Sequence, residues 1–127
     1  MPRFNKSQIN ELKNYLYTSN IHDGVIKNVL YERAKKTLTI KISTHINNQE
    51  INVHFLDVHT VLFISGKESG NSDTILSLSI EDNYSNLQTT SSMFDKNIIN
   101  SLYMMFQMFS GDELHIASQE VFFESAK

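Results

Sequence analysis

The sequence predicts an α+β fold, with one N-terminal helix packed on an antiparallel sheet of about six to eight strands, meander-like and ending in a C-terminal β-hairpin. Three observations predict it. The segment Ser7 to Tyr17 repeats apolar residues at helical spacing, the chain from His22 onward switches to period two, and Leu102 to Glu124 places two apolar runs on either side of a Ser-Gly-Asp turn. At 127 residues, with 40% hydrophobic residues, the chain suits a single domain over 1–127, with the helix at 7–18 and the sheet at 22–124.

Ile9, Leu12, Tyr15 and Leu16 form the helical stripe, Ser7 is the expected N-cap, and Asn20 is placed to end the helix in a left-handed turn. Val25 to Leu30 alternates, Tyr31 to Lys36 makes a turn, and Thr37 to Ser43 puts Leu38, Ile40 and Ile42 on one face. After a turn at Asn47 to Gln49, Ile51, Val53 and Phe55 point one way while Glu50, Asn52 and His54 point the other. Leu56-Asp-Val58 is the expected bend or bulge, and Val61 to Ile64 continues as a buried run, for a meander of four strands.

Gly66 to Asp73 reads as a polar loop, Thr74 to Glu81 resumes alternation, and Asn83 to Asn97 is loop by composition. Ile98 to Phe109 fits two periods: a helix capped by Asp95 and stopped by Gly111, or a strand apolar on both faces. The tight turn leading into Leu114-His-Ile-Ala117 favours the strand, which then sits centrally.

Composition narrows the chemistry. The chain has no cysteine, which removes disulfides, zinc-thiolate sites and thiol catalysis and makes the cytoplasm the simplest compartment. The net charge of -3 and scattered cations disfavour a nucleic-acid partner; only Arg33, Lys35 and Lys36 cluster, at what reads as a solvated turn. No stretch approaches the roughly 18 apolar residues of a membrane span, and the N-terminus lacks a signal-peptide core.

No catalytic constellation, cofactor or metal is expected. His54, Asp57 and His59 are the closest candidate ligands, but on a strand His54 and Asp57 face opposite sides and converge only if the chain turns after Phe55. His54 and His115 alternate with apolar neighbours and read as solvent-facing sheet positions. His22-Asp23-Gly24 resembles a base oriented by a carboxylate but reads better as a turn, with Asp accepting from backbone N–H groups and Gly supplying an unusual angle. Ser65-Gly-Lys67 with Gly70 lacks the spacing of a phosphate-binding loop, and no Gly-x-Ser-x-Gly elbow is present.

Two features point to binding. Asp112, Glu113, Glu120 and Glu124, with Glu81 and Asp82 across the sheet, are the candidate partner-binding residues, as an acidic face for a basic partner; the same residues also suit the wet side of charged strands. Met104, Met105 and Met108 with Phe106 and Phe109 either fill the core or line a pliable pocket between the helix and a curved sheet.

His22-Asp23, the hairpin around Tyr31 to Leu38, Val53-His-Phe-Leu-Asp-Val58, and the ending Phe109-Ser-Gly-Asp-Glu-Leu-His-Ile-Ala117 with Val121-Phe-Phe-Glu124 resemble a broad group of small bacterial domains. Several of that group are proposed as immunity proteins of polymorphic toxin systems. The resemblance lies in strand pattern and turn chemistry over most of residues 22–124, and it brings no catalytic residues. It implies a non-enzymatic cytosolic protein that binds a toxin-like protein partner. The alternatives are a small-molecule binder or minor enzyme with a Met- and Phe-lined pocket, and a homodimer formed through a sheet edge.

Overall fold

A computed structural model describes residues 2–19, 21, 23–44, 49–66, 75–80, 101–108 and 110–126. The predicted turn at Asn47, most of the loop from Gly66, the loop from Asn83, His22, Asn20, Glu81, Asp82 and Phe109 lie outside these residues. The described chain forms one N-terminal helix and a seven-stranded antiparallel sheet.

The chain opens on a strand too short for periodicity to reveal, β1 (Arg3–Asn5), which pairs with residues 120–122. Asn5, and not Ser7, is the first cap: its Oδ1 accepts the Ser7 N–H at 3.0 Å, while Gln8 Oε1 accepts the Asn5 N–H at 3.1 Å. A single 3-10 turn at Lys6–Gln8 follows and feeds α1 (Ile9–Thr18). Leu12 is fully buried, and Ile9, Tyr15 and Leu16 pack beside it on the core, as the stripe requires.

Then come β2 (Val25–Glu32), β3 (Thr37–Ser43), β4 (Glu50–Ile64), β5 (Ile75–Ile80), β6 (Leu102–Met108) and β7 (Glu113–Ala126). Their order in the sheet is β2-β3-β4-β7-β6-β5, with β1 beside β7. The meander therefore stops at β4, because the long β7 pairs with β4 along its whole length and takes the place next to it. Val61 to Ile64 is the far half of β4 and not a fourth strand.

The expected bulge is present. Asp57 adopts a left-handed conformation (φ 52°), and the β4–β7 register slips between Val58 and Thr60. Across the slip it is β7 that changes phase, its core-facing residues passing from odd-numbered to even-numbered, while Val53, Phe55, Val61 and Phe63 stay on one face of β4. Val53 and Phe55 pair with Phe123 and Val121, whereas farther along Val61 and Phe63 pair with Ile116 and Leu114. Cross-strand partners share a face, so the slip keeps the apolar phase directed to one side over 15 residues.

That side holds the core. Leu38, Ile40, Ile42, Val53, Phe55, Leu102, Met104, Phe106, Leu114, Ile116, Val121 and Phe123 are buried there beneath α1. Phe4, Tyr15 and Phe123 form an aromatic cluster, with Tyr15 and Phe123 ring centroids 4.7 Å apart, which fastens β1 and α1 to β7. Each fully buried Leu, Ile or Phe contributes about 1.5–3 kcal/mol relative to an exposed one.

The sheet curls until its two ends meet. The Asp23 N–H donates to the Ile75 carbonyl at 3.1 Å and the Ile75 N–H donates to the Gly24 carbonyl at 2.8 Å, joining the residues before β2 to the start of β5. The left-handed residue of this turn is Asp23 (φ 69°), while Gly24 packs close to Ile42.

Candidate functional site

Curling brings the core-side face of β2 toward that of the far half of β4, and α1 does not reach the space between them. Val29 and Tyr31 pair with the fully buried Ile40 and Leu38, so they face the core side. Val61 and Phe63 face it too, opposite Ile116 and Leu114. Yet Val29, Tyr31, Val61 and Phe63 are all exposed, Phe63 at 57% against 4% for Leu114 beside it.

The result is an open groove of about 460 Å³ between β2 and β4. Ile26, Val29, Val61, Phe63, Met108 and Leu114 supply its apolar lining. Lys27, Asn28 and Asp112 add polar groups. An open, mostly apolar groove of this volume is within the size range of binding sites.

The groove is built by sequence features that sit far apart. The β2–β3 register shift at Lys27 turns the start of β2, Asp57 reorients the far half of β4, and the Gly111 turn (φ 90°) brings Asp112 up beside Gly66. There the Asp112 carboxylate accepts the Gly66 N–H at 2.6 Å, pinning the end of β4 to the β6–β7 turn. Met108 and Asp112 are tied by a backbone hydrogen bond of 2.9 Å, which fixes the groove floor.

Glu113, Glu120 and Glu124 share the face of β7 away from the core, and each of the four acidic candidates has a partner within the fold. Asp112 holds Gly66, Glu113 lies 2.9 Å from His115 Nε2, Glu120 pairs with Arg3 at 3.1 Å and Glu124 lies 3.2 Å from His54 Nε2. On the sheet face away from α1, the His54 ring stacks on Phe122 at 4.5 Å with its Nδ1 3.1 Å from Thr39 Oγ1, while the Arg3 guanidinium lies over the Phe122 ring, 5.0 Å from its centroid. These contacts make a stitched surface of ion pairs and stacking.

His115 is not solvent-facing. It is fully buried, as is Tyr103, whose hydroxyl lies 2.5 Å from His115 Nδ1. The two sit on the face opposite the main core, in a second cluster of Tyr103 and Ala117 with Leu62 and Met105. Alternation alone assigned His115 to a wet face; its cross-strand neighbours Leu62 and Met105, with Tyr103, cover it there. None of Tyr103, His115 and Glu113 lines the groove.

His54 and Asp57 remain apart, and His59 instead meets Gln119 at 2.8 Å. Among the described residues no group of three or more His, Asp or Glu is arranged to hold a metal ion. Met104 and Phe106 lie in the core, and Met108, itself part of that core, lines the groove as well among the described residues. This groove therefore lies between β2 and β4, and no residue of α1 lines it.

No protein-family model matches the chain, and no curated protein matches it. Among the described residues no helix is long and apolar enough to cross a membrane.

Proposed function

We propose that the protein is a non-enzymatic protein-binding module whose partner docks in the groove between β2 and the far half of β4. The observation that carries this reading is the exposure of four apolar side chains, Val29, Tyr31, Val61 and Phe63, on the face that elsewhere is sealed core. Leaving such side chains in water forgoes burial free energy, which a docked partner recovers. In its sharpest form the module is a bacterial cytoplasmic immunity protein, folded like the group it resembles, that neutralises a toxin by occupying one of the toxin's surfaces. The test is quantitative co-purification from the native host with the wild type and with Phe63→Asp. A protein enriched with the wild type and lost with the variant is expected; equal recovery with both sinks the reading.

A second reading rests on the groove's size. A volume of about 460 Å³ falls in the range of small-molecule sites, and Met108 with Phe63 gives it a pliable apolar wall. Under that reading the native protein co-purifies with a small molecule visible by native mass spectrometry, and no protein depends on Phe63.

A further inference from the structure

The groove itself is lined by one cation and one carboxylate, Lys27 and Asp112, but the hairpin beside it carries a charge that runs against that of the whole chain. Lys27, Arg33, Lys35, Lys36 and Lys41 all fall on the β2–β3 hairpin, where Glu32 is the sole acidic residue between Gly24 and Ser43, although the chain carries a net charge of -3. Lys35 is paired with Glu32 at 3.5 Å and Lys41 with Glu50 at 3.2 Å. Lys27, Arg33 and Lys36 make no ion pair among the described residues, and all three are exposed.

The same strand offers its backbone. Among the described residues β2 pairs only with β3, so beyond the Gly24 tie to Ile75 its outer edge presents unpaired N–H and C=O groups. An exposed edge beside an apolar groove is the receptor half of strand addition, in which main-chain hydrogen bonds give affinity and alternate side chains enter pockets. The bulge at Lys27 guards only the start of this edge; beyond it Val29, Leu30 and Tyr31 follow one another, all exposed.

Resting on the protein-binding reading above, we infer that the occupant is an extended acidic segment of a partner protein, which adds as a strand to the β2 edge. Its alternate apolar side chains seat against Val29, Val61 and Phe63, and its carboxylates meet Lys27, Arg33 and Lys36. The basic hairpin steers the segment in and fixes its polarity, because complementary potentials raise the encounter rate and penalise a basic competitor. A helical occupant would leave the β2 edge unpaired, and a basic one would face three unneutralised cations.

A selection that assumes no partner tests this. A random 12-residue peptide library is panned on the full chain, with the Phe63→Asp variant as counter-selection, and the enriched sequences are read. Enriched peptides are expected to alternate Asp or Glu with Val, Ile, Leu or Phe and to lack proline. Their binding is expected to weaken at least tenfold with Lys27→Glu and Lys36→Glu together, and to shift amide resonances of residues 25–32. An enriched pool that is basic, helical in pattern or unaffected by the charge reversal overturns the acidic-strand inference while leaving the groove a peptide site. A pool with no enrichment over Phe63→Asp also overturns it, and the co-purification test above then decides separately whether the groove binds a folded partner surface.

Discussion

The Tyr103 hydroxyl lies 2.5 Å from Nδ1 of the fully buried His115, whose Nε2 lies 2.9 Å from the Glu113 carboxylate. The carboxylate can only accept, so Nε2 carries the proton and donates. In the tautomer with the proton on Nε2, Nδ1 is the acceptor for the Tyr103 O–H. Two polar rings are thereby accommodated in an otherwise apolar cluster, and a chain of satisfied hydrogen bonds links strands β6 and β7. Tyr103→Phe leaves Nδ1 without a donor in a dry site and is expected to lower unfolding stability by about 1–3 kcal/mol in urea melts. Removing both partners, Tyr103→Phe with His115→Leu, is expected to cost less than the sum of the two single changes. Nitrogen-15 NMR of His115 in the wild type should find the protonated Nε2 tautomer at neutral pH; the Nδ1 tautomer would contradict the arrangement.

Tyr15 gives the fold a pH dependence at the alkaline end. Burial of its phenol between Phe4 and Phe123 raises its pKa above the ordinary 10.0. The folded state therefore holds the proton more tightly than the unfolded chain. Stability from this group is complete below 10.0 and is lost as pH rises through the raised folded value. Urea midpoints measured between about pH 9 and 11 should fall in the wild type, and the fall should shrink in Tyr15→Phe. An identical pH slope in both proteins would show that Tyr15 does not titrate against the fold.

Leu12 is the fully buried residue of α1, so Leu12→Ala should remove about 2–5 kcal/mol, the usual range for an aliphatic core truncation. Tyr17, on the same helix at 86% exposure, provides the control: Tyr17→Ala should change stability by less than about 0.5 kcal/mol. Equal losses would mean that the helix packs through another face.

Gly66 is required by close approach. A Cβ there would lie 2.7 Å from the Ser110 carbonyl oxygen and would press on the Gly111 backbone, neither of which is the flexible end of a side chain. Gly66→Ala should therefore part the end of β4 from the β6–β7 turn, costing about 1–3 kcal/mol and widening the groove mouth. Hydrogen exchange should report faster opening at Gly66 and Met108 in the variant; unchanged protection would contradict the pinning role.

How much of this was legible in the sequence depends on what each element rests on. Periodicity finds α1, β3 and the near half of β4, because one side of each is buried and the pattern records it. It fails at β1, where three residues carry no period and only Phe4 reaches the core, and at the order of the strands, since nothing local tells β7 to lie between β4 and β6. Leu56-Asp-Val58 was legible as a bend, but the slip beside it, between Val58 and Thr60, needs the register against β7.

The groove was hidden for a related reason. Val29, Tyr31, Val61 and Phe63 look like core residues by pattern, and they do face the core side; only the curl of the sheet leaves them uncovered. The available signal was the run Val29-Leu-Tyr31, apolar in both phases and followed at once by a basic turn. His115 shows the converse error: a polar residue in an alternating strand was assigned to water, whereas Tyr103 and Glu113 satisfy both its nitrogens inside the fold.

The basic hairpin beside the groove predicts a salt dependence. Binding at the groove should weaken as ionic strength rises and lose most of that sensitivity in Lys27→Glu with Lys36→Glu, since exposed charges separated by more than about 8–10 Å are screened at physiological salt. Affinity that ignores salt would place the contact surface elsewhere.

The most direct measurement is photo-cross-linking in the native host with a benzophenone amino acid placed at Phe63, compared with one at Tyr17, which is on the surface but outside the groove. The account predicts one discrete protein adduct from position 63 and none from position 17. Adducts at both positions alike, or at 17 alone, would contradict the assignment of partner binding to the groove between β2 and β4.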